Sequence, residues 1–255
     1  MDTQQQKKFK ILLIGDICID EYQYGTVERI SPEAPVPVFK LSHKESKPGM
    51  AANVRANLES FGVDVLMVGG EKSTKTRLID VKSKQQIVRI DDDKIVDQGI
   101  PINALSPEVF NVDAIVISDY NKGLVSYELI ENLRLVYKGP IFVDTKKPDL
   151  KRFNGCFVKI NESEYNNSTS INDFLIVTLG DKGALYKTPT MEQKFFTPKI
   201  EVTDVTGAGD TFLAALAYQY LISKDIEDSI RFAIRASTVT VQHLGVYAPK
   251  LAEIE

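Results

Sequence analysis

The residues best placed to do chemistry stand in one string, Asp204-Val205-Thr206-Gly207-Ala208-Gly209-Asp210-Thr211. The string opens a run from Phe212 to Leu221 that reads as a helix. Glycines let the backbone turn tightly and come close to an anion. A helix start adds unpaired N–H groups and the positive end of the dipole, a good seat for a phosphate. Gly207, Ala208 and Gly209 would present their N–H groups to it. Asp210 falls at the same helix start, where the dipole favours the ionised carboxylate. An ionised base beside a phosphate seat suits phosphoryl transfer to a hydroxyl, with Asp210 accepting the proton. Its ordinary pKa of about 4 makes it a weak base, tolerable if the proton leaves late. The plainer alternative is an N-cap, since Thr and Asp begin many helices and Gly is common in loops. The Asp-x-Thr-Gly-x-Gly-Asp spacing favours chemistry.

Such a string needs a scaffold. Short apolar runs at residues 11–14, 65–68, 114–118, 141–144 and 175–178 predict buried parallel strands, each bounded by Gly, Asp or Pro. Helix-like stretches at residues 51–61 and 127–137 lie between them. This alternation predicts a doubly wound α/β sheet. Ligands of such sheets bind outside the carboxyl ends of the strands. The Gly15-Asp16 and Thr178-Leu179-Gly180 strand ends therefore point toward one site. Residues 22–41 and 76–91 break the rhythm with Pro, β-branched residues and alternation, and read as exposed strands or hairpins. There is no internal repeat, low-complexity tract or linker.

Composition narrows the class. The 255 residues suffice for one large domain, and 43% of them are hydrophobic, as in a soluble globular protein. A net charge of −4 argues against a broad nucleic-acid surface, but not against small anionic ligands, which need only a local cationic pocket. The two cysteines, Cys18 and Cys156, lie in apolar stretches and read as buried free thiols of a reducing compartment. Two distant histidines, His43 and His243, supply no Cys/His metal cluster. The polar stretch before residue 11 is followed by an apolar run too short for a leader core or membrane span. A cytoplasmic protein with no membrane partner is expected.

The glycine-rich string resembles the second signature of the ribokinase-like, or PfkB, family of carbohydrate kinases. Gly15-Asp16-Ile17-Cys18-Ile19-Asp20 resembles that family's first strand and its sugar-contacting carboxylates. The segment Arg29-Ile30-Ser31-Pro32-Glu33-Ala34-Pro35-Val36-Pro37-Val38 resembles, more narrowly, heptose-7-phosphate kinases. These include the kinase domain of bifunctional heptose-7-phosphate kinase/heptose-1-phosphate adenylyltransferases. Ser118-Asp119-Tyr120-x-Lys122-Gly123 and Gln86-Ile87-Val88-Arg89-Ile90-Asp91 point the same way. The likeness covers nearly the whole chain, from Lys10 to Pro249. It implies a single ribokinase-like kinase domain over residues 1–255, with lid segments near 17–45 and 76–92 that cover the sugar and often carry a homodimer contact. Relative to that family, helical stretches are missing between Gly70 and Thr74 and between Tyr165 and Ile171. No nucleotidyltransferase-like domain is visible, so a separate nucleotidyltransferase of the same pathway is the expected partner.

The resemblance also implies ATP, Mg²⁺ and, where required, a monovalent cation. Asn161-Glu162-Ser163-Glu164 resembles the family's Asn-x-x-Glu motif, in which Glu164 would act on Mg²⁺ through water and Asn161 would approach nucleotide phosphates. A plain polar turn is the alternative. Thr178-Leu179-Gly180-Asp181-Lys182-Gly183 resembles the nucleotide loop, with Thr178, Gly180 and Gly183 as its marks. Lys146, after another strand, could meet phosphate as a point charge.

For the sugar, Asp16 and Asp20 would accept hydrogen bonds from hydroxyls, unless they form a solvated turn. Gly49 and Asn53 fall where relatives hold the sugar. Met50 stands where the family usually has a second glycine. Its bulk either narrows the pocket or turns away from it. Arg29, Arg77, Arg89 and Lys122 are candidate cations for a phosphate on the acceptor, against the alternative of solvated surface charge.

The reading that emerges is an ATP-dependent sugar kinase. Its expected acceptor is D-glycero-D-manno-heptose 7-phosphate, converted at the anomeric hydroxyl to the 1,7-bisphosphate for nucleotide-heptose biosynthesis. Another sugar acceptor, or a regulatory nucleotide-binding protein with little turnover, remains the alternative.

Overall fold

The computed structural model describes residues 8–254; the first seven residues of the polar lead-in, and Glu255, lie outside the described residues. In chain order the elements are β1 (Lys10–Ile30), β2 (Pro37–Met50), α1 (Ala51–Ser60), β3 (Asp64–Asp80), β4 (Gln86–Asp92) and β5 (Ala114–Asp119). Then come α2 (Tyr127–Val136), β6 (Ile141–Thr145), β7 (Phe157–Asn161), α3 (Glu162–Asn166), β8 (Phe174–Thr178), β9 (Ala184–Lys187) and β10 (Glu192–Phe195). Helices α4 (Ala208–Ser223), α5 (Ile226–Thr240) and α6 (Leu251–Ile254) follow.

Ile11, Leu12, Leu13 and Ile14 open β1 and are all fully buried. Alternate side chains of a strand point to opposite faces, so such a run must be covered on both. Ile11 and Leu13 join Val116, Phe142 and Ile176 in a cluster with α1, α4 and α5. Leu12 and Ile14 join Ile117, Val143 and Val177 in a second cluster with α2. The sheet is thus the middle of three layers. Its order is β10-β9-β8-β7-β6-β5-β1-β3-β4, with β2 attached to β1. Strands β3, β1, β5, β6, β7 and β8 run parallel, and β9, β10, β4 and β2 join antiparallel. This is the expected doubly wound sheet.

The lid grows out of the same strands. β1 pairs with β5 as far as Gly15 opposite Ser118; from Ile17 onward β2 takes over, with Met50 as its first partner. β3 stays beside β1 from Lys10–Asp64 to Gly25–Asp80, with one register shift between Gly15 and Ile17. The lid order is therefore β2-β1-β3-β4. Where a helical stretch was expected to be missing, between Gly70 and Thr74, the chain simply continues as β3. The second lid segment consequently starts earlier than residue 76, since Lys72 already pairs with Ile17. Near the other compacted position the chain makes only the five-residue α3. Among the described residues no helix is long and apolar enough to cross a membrane.

Candidate active site

The strand order reverses at β1, which lies between β5 and β3. In an open α/β sheet a ligand crevice forms there, off the carboxyl ends. The structure places Tyr120, Asp144, Asn161 and Thr178 at or just past the ends of parallel strands on that edge, and Asp16 within β1, one residue past its last β5 partner. α4 points its N-terminus into it. Gly207 caps α4 at φ 81°, a left-handed conformation that favours glycine. A Cβ on Gly207 would stand 2.8 Å from Asn53 Nδ2, and one on Gly209 would stand 2.9 Å from Lys159 Nζ. Without side chains, both glycines leave room for these two groups against the turn.

Asp210 sits in the first turn of α4 and is only 6% exposed. Asn53 Nδ2 donates to its Oδ2 at 2.9 Å, and the Tyr120 hydroxyl donates to its Oδ1 at 2.9 Å. Asn53 is itself held: Asn57 donates to its backbone carbonyl at 2.8 Å, and Thr211 Oγ1 donates to Asn57 Oδ1 at 2.9 Å. Burial, helped by the Asp144 charge, pushes the Asp210 carboxyl up to about 6, while Asn53, Lys159 and Tyr120 pull it down. The expectation of a dipole-held carboxylate near its ordinary pKa is thereby corrected. Withdrawal from water outweighs the helix dipole here, because a dipole contributes only about 0.3–2 kcal/mol. The result is a stronger base than the sequence suggested.

On one side of Asp210 lies a cavity of about 570 Å³, whose lining includes Lys146, Lys159, Asn161, Glu164, Thr178 and Gly180. Lys159 and Asp144 form a buried ion pair at 2.7 Å. Burial alone would lower the Lys159 ammonium; Asp144 outweighs it and holds the charge in place. Lys146 pairs with Glu164 and lies 4.9 Å from the Tyr120 ring centre. Asn161 and Glu164 close a capping box on α3, each side chain accepting from the other's backbone N–H at 2.8 Å. The polar-turn alternative is therefore correct as local structure, and the turn still faces the cavity. Gly183 does not line it. At φ 90° its missing Cβ lets the chain pass Phe195 O, which a side chain would meet at 1.9 Å.

Among the described residues no three His, Cys, Asp or Glu side chains are grouped to cage a metal. Glu162 and Glu164 line the cavity with carboxylate oxygens, the donor type that a hydrated Mg²⁺ would take.

On the other side lie the lid and β1. Asp16 Oδ2 accepts from the backbone N–H groups of Tyr120 at 2.8 Å and Lys122 at 3.2 Å, and burial raises its carboxyl. Asp20 is buried and bound by Arg77. A Cβ on Gly49 would stand 2.2 Å from Asp20 Oδ2 and 2.5 Å from Cys18 Sγ, so a side chain there would displace Asp20. Met50 has φ 54°, buries its side chain and belongs to neither apolar cluster. A methionine in glycine's backbone region costs about 1–3 kcal/mol.

Three expected phosphate contacts are not assembled. Arg29 is exposed, nine residues past Asp20 along β1 and so about 30 Å away. Arg89 shares a register position with Arg77 but stays exposed, its guanidinium on Asp91 at 2.9 Å. The Lys122 side chain turns to Asp93, leaving only its backbone N–H near Asp16. In each case a closer carboxylate, or distance, takes the cation away.

Several residues of this edge escaped sequence reasoning. Lys159 lies in an apolar strand that went unrecognised; a lysine flanked by Val158 and Ile160 was the available signal of a buried ion pair. Tyr120 was part of a quoted motif without a role. Nothing in the sequence marked Lys47, Lys75 or Tyr22.

Comparison with known proteins agrees with this geometry. Residues 156–253 match the model of the pfkB family carbohydrate kinases. The chain is 32% identical to the bifunctional protein HldE of Nitratiruptor sp. over 302 aligned positions, covering 97% of this chain and 64% of that protein. HldE of Photobacterium profundum is also 32% identical, with 92% and 60% covered. The chain therefore spans somewhat under two thirds of these curated relatives. Among solved structures, ribokinase of Thermotoga maritima superposes with a TM-score of 0.72 at 18% identity, covering 96% of this chain and 98% of that one. Phosphofructokinase-2 of Escherichia coli, in complex with potassium, gives 0.73 at 16% identity, with 98% and 97% covered. The shared fold is ribokinase-like. Together with the family match and the HldE likeness, it shows that the chain belongs to the pfkB family of carbohydrate kinases.

Proposed function

We propose that the chain transfers the γ-phosphoryl group of ATP to a sugar phosphate, with Asp210 as general base. D-glycero-D-manno-heptose 7-phosphate is the proposed acceptor and its anomeric hydroxyl the nucleophile. The observation that carries the reading is the arrangement of Asp210. A buried carboxylate is gripped by Asn53 and Tyr120, directly beside the glycine turn and Lys159. The HldE likeness and the Arg29–Val38 segment support the heptose acceptor.

In this reading the acceptor lies between Asp16, Asp20 and Gly49, and the nucleotide lies in the cavity toward Asn161, Thr178 and Gly180. Asp210 takes the hydroxyl proton. The N–H groups of Gly207, Ala208 and Gly209 and the Lys159 ammonium meet the charge that develops on the transferring group. Lys146 is a second point charge for phosphate, and is freed for that role if Glu164 turns to a hydrated Mg²⁺. Glu164 would hold that ion through water; when bound, the ion neutralises phosphate charge. A nucleotidyltransferase acting on the product is the proposed pathway partner. ADP release measured with a panel of sugars and sugar phosphates tests the reading. It predicts that heptose 7-phosphate gives the highest kcat/KM, and release independent of every sugar contradicts it.

We also assign a homodimer to the lid. Ile30, Leu41, Val88 and Ile90 are exposed there, and β2 and β4 each pair on one side only. Apolar surface and free strand edges are features that proteins usually cover. Light scattering at micromolar concentration should give twice the chain mass of 28.5 kDa. A strict monomer with intact activity would refute the assignment.

A further inference from the structure

With Arg29, Arg89 and Lys122 turned elsewhere, the structure points to different cations for the acceptor's own phosphate. Lys47 on β2, Asp20 on β1 and Lys75 on β3 share one register position, so their side chains share one face of the lid. Both lysines are half-buried. Neither has a carboxylate partner among the described residues. Lys47 Nζ reaches only the Leu244 carbonyl at 3.4 Å and the Tyr22 ring at 5.8 Å from its centre. Lys75 Nζ lies 5.5 Å from the centre of the Tyr120 ring, whose hydroxyl donates to Asp210.

A second, independent feature lies beside Lys47. The Tyr22 hydroxyl is buried and has no hydrogen-bond partner, although the residue is only 6% exposed. Leaving a buried hydroxyl unpaired is costly, and native structures rarely do so without a ligand or water to complete it. A Cβ on Gly245 would stand 3.0 Å from Lys47 Nζ and 3.4 Å from Tyr22 Oη, so the glycine leaves both groups uncovered. The carboxylates facing Tyr22 are already engaged. Asp20 is bound by Arg77. Asp204 accepts from Thr206 N–H and Oγ1 and from Gly245 N–H, and these bonds with Arg77 lower its carboxyl despite burial. Arg77 is thus spent on these carboxylates, and Lys47 and Lys75 stand beside it without a carboxylate partner among the described residues.

We propose that Tyr22 and Lys47, with Lys75 as the second cation, form the subsite that receives the phosphate already present on the acceptor. The inference rests on the sugar-kinase reading and names the residues that make it selective for a phosphorylated sugar. The Tyr22 hydroxyl donates to a phosphate oxygen and Lys47 supplies a charge-assisted contact. Lys75 also faces the Tyr120 ring, whose hydroxyl binds the base, so it joins the subsite to the Asp210 side of the site.

The test uses the full chain with Lys47→Met, Lys75→Met and Tyr22→Phe, and Lys138→Met as a control for general loss of surface charge. Lys138 is exposed and touches only the Leu135 carbonyl. The reading is the ratio of kcat/KM for heptose 7-phosphate to that for heptose, together with calorimetric binding of heptose 7-phosphate and of inorganic phosphate. Each lysine change should lower the ratio and the affinity for phosphate-bearing ligands about tenfold to a hundredfold. Tyr22→Phe should lower them less, with an unchanged melting temperature, and Lys138→Met should leave them native. A ratio unmoved by all three lid variants, or an equal loss on both acceptors, overturns the subsite. If no sugar is turned over but phosphate binding still depends on Lys47, the kinase reading fails and the anion subsite stands.

Discussion

Asp210→Asn should cost about 10²–10⁴ in kcat while ATP binding survives. The amide keeps the shape of the carboxylate but cannot accept a proton. It can also keep both neighbours, taking the Asn53 amide on its oxygen and giving its NH₂ to the Tyr120 oxygen. The native enzyme should show the matching pH dependence. A base whose carboxyl is pushed up to about 6 is protonated and idle below that value, so kcat/KM should fall about tenfold per pH unit there. Stability runs the other way. An acid raised in the fold stabilises it when protonated, fully below the unfolded value of 3.8, and this contribution is lost as pH rises through about 6. At neutral pH the ionised group therefore burdens the fold by at most about 3 kcal/mol. The Asn variant should be inactive yet melt no lower than the native protein at pH 7.5. Full activity in the purified variant, or a flat profile down to pH 5, would show that Asp210 is not the base.

The second large effect belongs to Lys159. Replacing it with Met strands the buried Asp144 carboxylate, and breaking a buried pair by one partner costs about 3–5 kcal/mol. Replacing both, as Lys159→Met with Asp144→Leu, removes the stranded charge and should restore most of the melting temperature. Activity should not return with it. Lys159 Nζ stands where a side chain on Gly209 would meet it at 2.9 Å, beside the turn assigned to the transferring phosphoryl group. Loss of one such stabilising group typically lowers kcat about 10²–10³-fold. Thermal unfolding and steady-state rates on the single and double variants separate the two roles. A stable double variant with native turnover would make the pair purely structural.

What could be read in the sequence was set by how local each signal is. The strand at residues 11–14 was legible because it is buried on both faces, which leaves an uninterrupted apolar run. Asp210 and its glycines were legible because turn chemistry and helix start fall within a few residues. β7 was not, because Lys159 breaks its apolar run, and only the fold reveals Asp144 as its partner. The lid cations were the hardest to read. An arginine in a strand says nothing of which carboxylate it will meet. Arg89 met Asp91 and Lys122 met Asp93 in space, while Lys47 and Lys75, set on either side of Asp20 by the register of three strands, have no carboxylate partner among the described residues. The pKa of Asp210 was misjudged for the same reason. The helix dipole is visible in sequence, but the burial that outweighs it arises from packing against α1 and β5.

Phosphorus-31 NMR of the products tests the central claim most directly. The full chain is incubated with ATP, Mg²⁺ and heptose 7-phosphate, and the native protein is compared with Asp210→Asn. The account predicts a new phosphate resonance coupled to the anomeric proton, growing in step with ADP and absent from the Asn variant. ADP accompanied only by inorganic phosphate, or an anomeric phosphate formed equally by the Asn variant, would contradict it.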